Sequence, residues 1–107
     1  MEAVELFAEI VARLKPIDPD KVIAFGSRAR GDAGPDSDLD LVVVERGGGS
    51  LAERGLRVGA ALGDVGVGVD LVVYTPEEYD RLRHWRSSVA ALADREGRVL
   101  YEARRAA

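Results

Sequence analysis

The sequence predicts a mixed α/β (α+β) fold, and three observations lead there. Segments with a 3.6-residue apolar period alternate with short apolar runs bounded by turn residues, in the order α, β, β, α, β, α, α, β. The first two strands are joined by a loop only. A chain of 107 residues with 47% hydrophobic content is long enough for one core and short for two, so a single domain over 1–107 is expected.

Residues 2 to 14 place Val4, Phe7, Val11 and Leu14 on one stripe, flanked by Leu6 and Ile10, which is the pattern of an amphipathic helix; Pro16 stops it. Pro16, Pro19, Asp18 and Asp20 make a connector into the first strand, 21–25. After it, Ser27 to Arg30 read as a short helical turn whose free N–H groups aim back at the strand end. Gly31 to Asp36 contains Gly-Asp and Gly-Pro pairs and is expected to be an exposed, mobile loop. The second strand follows at 39–45. Gly47-Gly48-Gly49 resembles a phosphate cradle but reads as a plain flexible loop, because Ser50-Leu51-Ala52-Glu53 behind it is a capping box that opens a helix over 51–62. Gly55 and Gly59 inside that helix each cost about 1 kcal/mol relative to Ala, so tertiary packing must hold it. The third strand is expected at 67–74. Thr75-Pro76-Glu77-Glu78 is a second capping box with proline in the first turn, followed by helices to 83 and over 86–95, a stop at Gly97 and a short strand at 99–101.

The chemistry gathers at residues 26 to 40. An apolar strand ends abruptly at Gly26 and Ser27, a small-residue turn rich in backbone donors and suited to phosphate. Asp38 and Asp40 stand two apart at the start of the second apolar run, so their side chains share a face. Asp70 interrupts the apolar run 67–73, where an unpaired carboxylate is costly to bury. If the two strands are neighbours, three carboxylates converge. Such a set repels itself and calls for a cation. Mg²⁺ takes oxygen ligands and is held by one or two carboxylates plus substrate phosphates. Taken singly, each aspartate also suits a turn or an Arg ion pair; it is the combination that points to catalysis. Of the nearby cations, Arg30 is the better phosphate ligand, and Arg28 reads equally well as a solvated basic turn.

Composition narrows the partners. A net charge of −4 and a pI near 5 argue against stable nucleic-acid binding, which rests on Lys and Arg neutralising phosphates. Cysteine is absent, so disulfides and thiolate metal sites are excluded, in keeping with a cytoplasmic protein. No apolar stretch is long enough for a membrane span, and the first residues lack the basic region of a signal peptide.

Gly26-Ser27, ten residues, then Asp38-Leu39-Asp40 resembles the signature of the DNA polymerase β-like nucleotidyltransferase superfamily. Gly26-Ser27-Arg28-Ala29-Arg30-Gly31 with Ser37-Asp38-Leu39-Asp40-Leu41 is close to its minimal nucleotidyltransferase (MNT) branch, and the likeness extends more loosely through Asp70 to Val99-Leu100-Tyr101-Glu102. The resemblance implies a small mixed sheet with helices packed mainly on one face. It also implies ATP as substrate and two Mg²⁺ ions. Gly26, Ser27 and Arg30 would bind the triphosphate; Asp38, Asp40 and Asp70 would be the catalytic metal ligands, with Asp70 on the nucleophile side. The branch includes antitoxins paired with HEPN toxins, which transfer AMP from ATP to a toxin tyrosine and release pyrophosphate. A HEPN-type toxin is therefore the expected partner, and a homo-oligomer is left open. Rival readings are a non-catalytic antitoxin that occludes its partner, and an enzyme acting on a small molecule or an RNA end.

The remaining aromatic and basic residues receive structural readings. Phe7, Phe25, Tyr101 and Trp85 are expected in the core, and His84 at the surface. Arg81, Arg83 and Arg86 read as a solvated cluster, and Arg104 and Arg105 as a basic tail.

Overall fold

β1, Lys21–Phe25, is the strand on which the sheet is built, and its run of apolar side chains is buried on both faces. The computed structural model describes residues 3–104. Glu2, at the start of the first predicted helix, and Arg105 of the basic tail lie outside the described residues. β1 pairs antiparallel on one side with β2, Leu39–Val44, and on the other with β4, Arg98–Glu102. β3, Val69–Tyr74, lies parallel to β2, giving the order β3-β2-β1-β4 and a mixed sheet. A parallel pair needs a crossover, and α3, Leu51–Leu62, supplies it.

Side chains alternate along these strands between two separate cores. On one face, Val22, Ala24, Leu41 and Val43 pack against Phe7, Ile10 and Leu14 of α1, Ala3–Leu14, and against Val58 and Leu62 of α3. On the other, Ile23, Phe25, Val42 and Val44 pack against Tyr79 of α4, Pro76–Leu82, and Ala90 and Ala93 of α5, Val89–Glu96. The two longest helices thus share a face, while the two short ones cover part of the other, so helices pack on both sides of the sheet rather than on one alone. A 3-10 turn at Lys15–Ile17, with Pro16 in its first turn, carries α1 into the connector.

Both capping boxes form. Ser50 Oγ accepts from Glu53 N–H and Glu53 accepts from Ser50 N–H; Thr75 and Glu78 repeat the arrangement. β3 begins at Val69, two residues later than predicted, and α5 at Val89, three later. Residues 83–88 form turns because Ser88 is the helix cap: its hydroxyl accepts from Ala91 N–H and donates to the Leu82 carbonyl. Trp85 lies in that turn and is 64% exposed, which corrects its expected core position: the chain breaks before a tryptophan here can reach the sheet. Phe7 and Phe25 are buried, and Tyr101 packs partly buried against the first core. Arg83 is not merely solvated, since it pairs with Asp80 at 3.3 Å and Asp94 at 3.6 Å.

The far end of the sheet is closed by ion pairs. Arg54 of α3 is buried and bonds Glu78 at 2.6 Å and the Gly49 carbonyl at 3.0 Å, while buried Glu45 pairs with Arg57. The Gly47–Gly49 loop is thereby tied to α3. Among the described residues no helix is long and apolar enough to cross a membrane.

Candidate active site

The opposite end of the sheet holds the predicted site. Phe25, last in β1, is the register partner of Asp40, and Asp40 is the register partner of Asp70. Asp38, Asp40 and Asp70 occupy the alternation of Val42, Val44 and Val72, so all three belong to the face that α4 and α5 cover elsewhere. Asp40 is half-buried; Asp38 and Asp70 are exposed.

The β1 run ends because Gly26 turns it. Gly26 opens α2, Gly26–Arg30, at φ 75, a left-handed conformation that side chains disfavour. Glycine also leaves room here: a Cβ at this position would fall inside 3.0 Å of Asp40 Oδ2. The carboxylate of β2 therefore lies directly against the turn. α2 closes on Ser27, whose carbonyl accepts from Gly31 N–H at 3.0 Å and Asp32 N–H at 3.1 Å.

Electrostatics tie the group together. Burial, followed by the Asp70 charge, a hydrogen bond shared with Asp70 and the Asp38 charge, pushes the Asp40 carboxyl above its ordinary range; Arg30 partly offsets this. Arg30 also pairs with Asp32 at 3.2 Å. Among the described residues no three His, Cys, Asp or Glu side chains are grouped so as to hold a metal ion. Asp70 stands opposite Asp40 in register, and the charges of Asp70 and Asp38 both act on Asp40. The donors here are all carboxylate oxygens, crowded enough to shift a pKa, and that chemistry fits a hard divalent cation.

Two supporting residues escape the sequence reading. Arg28 is tied to the loop that follows it: its Nε donates to the Ser37 carbonyl at 2.8 Å and its Nη2 to the Pro35 carbonyl at 3.4 Å. With the Gly34 and Ser37 turn bonds, this ties down the 31–38 loop that was expected to be mobile. Gly68 lies against Asp38, where a Cβ would again fall inside 3.0 Å of the carboxylate. A glycine just before an acid-bearing strand was the available signal. His84 and Trp85 are exposed in the α4–α5 turn.

The family profile of the nucleotidyltransferase domain matches residues 4–84. The chain belongs to this family. The matched span carries both strands of aspartates, α2 and the loop between them. No curated protein matches the chain in sequence. Among solved structures, this nucleotidyltransferase domain is similar to a Sulfolobus solfataricus protein assigned as a nucleotidyltransferase, with 28% identity over 76% of this chain and 80% of that one, at a TM-score of 0.50. A toxin–antitoxin structure with AMP-PNP is 20% identical over 91% of this chain and 73% of that one, at a TM-score of 0.58. A mutant of the toxin–antitoxin pair MntA–HpeT is 18% identical, with the same coverage and a TM-score of 0.57. At these identities the last two likenesses speak to the fold.

Proposed function

We propose that this domain transfers AMP from ATP onto a tyrosine hydroxyl of a HEPN-type toxin and so acts as its antitoxin. The observation that carries the reading is the pairing of Asp40 with Asp70 across β2 and β3, with Asp38 on the same face. Family membership supports nucleotidyl transfer, and the likeness to toxin–antitoxin structures supports a toxin as acceptor.

Asp38, Asp40 and Asp70 are the residues that would hold Mg²⁺, two ions being expected. When bound, the metal neutralises the triphosphate and lowers the pKa of the attacking hydroxyl. The backbone at Gly26 and the Ser27 hydroxyl take the β- and γ-phosphates, and Arg30, beside Asp40, contacts the triphosphate. The tyrosine oxygen attacks the α-phosphorus, the bond from the α-phosphorus to the bridging oxygen breaks, and pyrophosphate leaves in line. Asp70, exposed at the rim, accepts the hydroxyl proton. Its neighbour Asp40 is fixed against Gly26, so the phosphate turn and the carboxylates are positioned as one unit.

Incubation with ATP labelled in the α-phosphate, Mg²⁺ and the protein encoded by the adjacent gene tests this. Label is expected on a tyrosine of that protein, and is lost when Asp38→Ala and Asp40→Ala are combined. If the double variant still protects cells from the adjacent protein, neutralisation occurs by occlusion and the proposed transfer is not its cause.

A further inference from the structure

Asp38 receives little support from its own strand. It precedes β2, is exposed and ends the 31–38 loop. Its backbone is held from one side by Arg28, through the Ser37 carbonyl, and from the other by Gly68, whose carbonyl accepts from Leu39 N–H at 2.8 Å. Gly68 also faces the Asp38 side chain. A Cβ there would collide with Oδ1 and stand 3.2 Å from Cγ and 3.8 Å from Oδ2. Gly68 does not have a left-handed φ, so what singles it out is the room it leaves beside Asp38.

We propose that Gly68 is a positioning residue: by leaving open the space that the Asp38 carboxylate occupies, it sets where that carboxylate points and hence how well the site holds a divalent cation. The inference rests on the reading of Asp38 as a metal ligand in nucleotidyl transfer. It goes beyond that reading by adding a residue outside the Gly-Ser turn and the three aspartates. The colliding atoms are the end of a rotatable side chain, not backbone. A methyl group at 68 is therefore accommodated by swinging the carboxylate aside, while the β2–β3 ladder stays in register. The fold tolerates the change and the site does not. Gly26 differs, because its left-handed φ strains any side chain whatever the space.

Mn²⁺ titration of the full chain, followed by the loss of the free-ion paramagnetic resonance signal, reads the effect without turnover. Gly68→Ala is expected to weaken Mn²⁺ binding about tenfold or more, the usual scale for a residue that orients a ligand, with unchanged circular dichroism. In an Asp38→Ala background, Gly68→Ala is expected to cause no further loss, because the colliding carboxylate is gone. Its melting temperature there should hold or rise, since alanine restricts the unfolded chain. Mn²⁺ binding by Gly68→Ala within twofold of the wild type overturns the proposal, as does an equal loss in both backgrounds. Unfolding by Gly68→Ala in both backgrounds overturns it too, for the strand itself would then need glycine. If Asp38→Ala alone leaves Mn²⁺ binding unchanged, it is the metal role of Asp38 that fails, and this inference falls with it.

Discussion

Asp40 and Asp70 are register partners, facing each other directly across the parallel pair β2–β3 with like charges. A like charge directly opposite makes the ionised form of Asp40 harder to hold. Burial and the two neighbouring charges accordingly raise the Asp40 carboxyl above its ordinary value of 3.8. A carboxyl whose pKa rises on folding favours the folded state while protonated. That contribution is complete below the unfolded value and is lost as pH climbs through the raised one. Asp40→Asn is therefore expected to raise the melting temperature of the metal-free protein at neutral pH, with a gain that shrinks to nothing below about pH 3.8. Thermal melts from pH 3 to 8 check this; a variant less stable than the wild type at neutral pH contradicts it.

Alanine at Asp38, Asp40 or Asp70 singly is expected to lower label transfer about a hundredfold or more, the scale of losing one electrostatic stabiliser of a transition state. None of the three should lower the melting temperature, because each removes a like charge from a crowd. Ser27→Ala, which removes one phosphate contact among several, is expected to cost less, about tenfold. Initial rates alongside melting curves separate these effects from misfolding.

Arg28→Ala removes the bonds to the Ser37 and Pro35 carbonyls. The 31–38 loop is then expected to exchange its amide hydrogens faster, with protection in β1 unchanged. A mass-spectrometric exchange profile with no change over 31–38 would show that the guanidinium does not anchor the loop.

Arg54→Met tests the opposite end of the sheet. It takes the guanidinium away from Glu78, which keeps only the Thr75 N–H, and from the Gly49 carbonyl, and is expected to cost about 2 kcal/mol of stability. Label transfer should be unaffected below the melting range, since the pair lies beyond the C-terminal ends of β2 and β3 and the aspartates at their starts. Denaturant titration and initial rates measure the two halves of this prediction.

The parts readable from sequence were those whose signal is local. The apolar run at 22–25 ends at a glycine, and both capping boxes carry their partner three residues on. Asp70 stands out because a charge inside an apolar run is costly to bury; the structure avoids that cost by leaving it exposed near the start of β3, opposite Asp40. What stayed hidden depends on tertiary approach. Arg28 reads as a turn cation until the loop folds back onto it, and Gly68 reads as an ordinary glycine until β3 lies beside Asp38. Trp85 was misplaced because residue type predicts burial only where the backbone can deliver it. The start of α5 was legible in principle, since Ser88 is a cap, but the preceding Arg and Ser residues carry no periodicity to mark the break.

The most direct test of the account is calorimetric titration of a non-hydrolysable ATP analogue with and without Mg²⁺, on the wild type and on Asp40→Asn/Asp70→Asn. The account predicts binding that requires Mg²⁺ in the wild type and is at least tenfold weaker in the double variant. Equal binding with and without Mg²⁺, unchanged by removing both carboxylates, would contradict it.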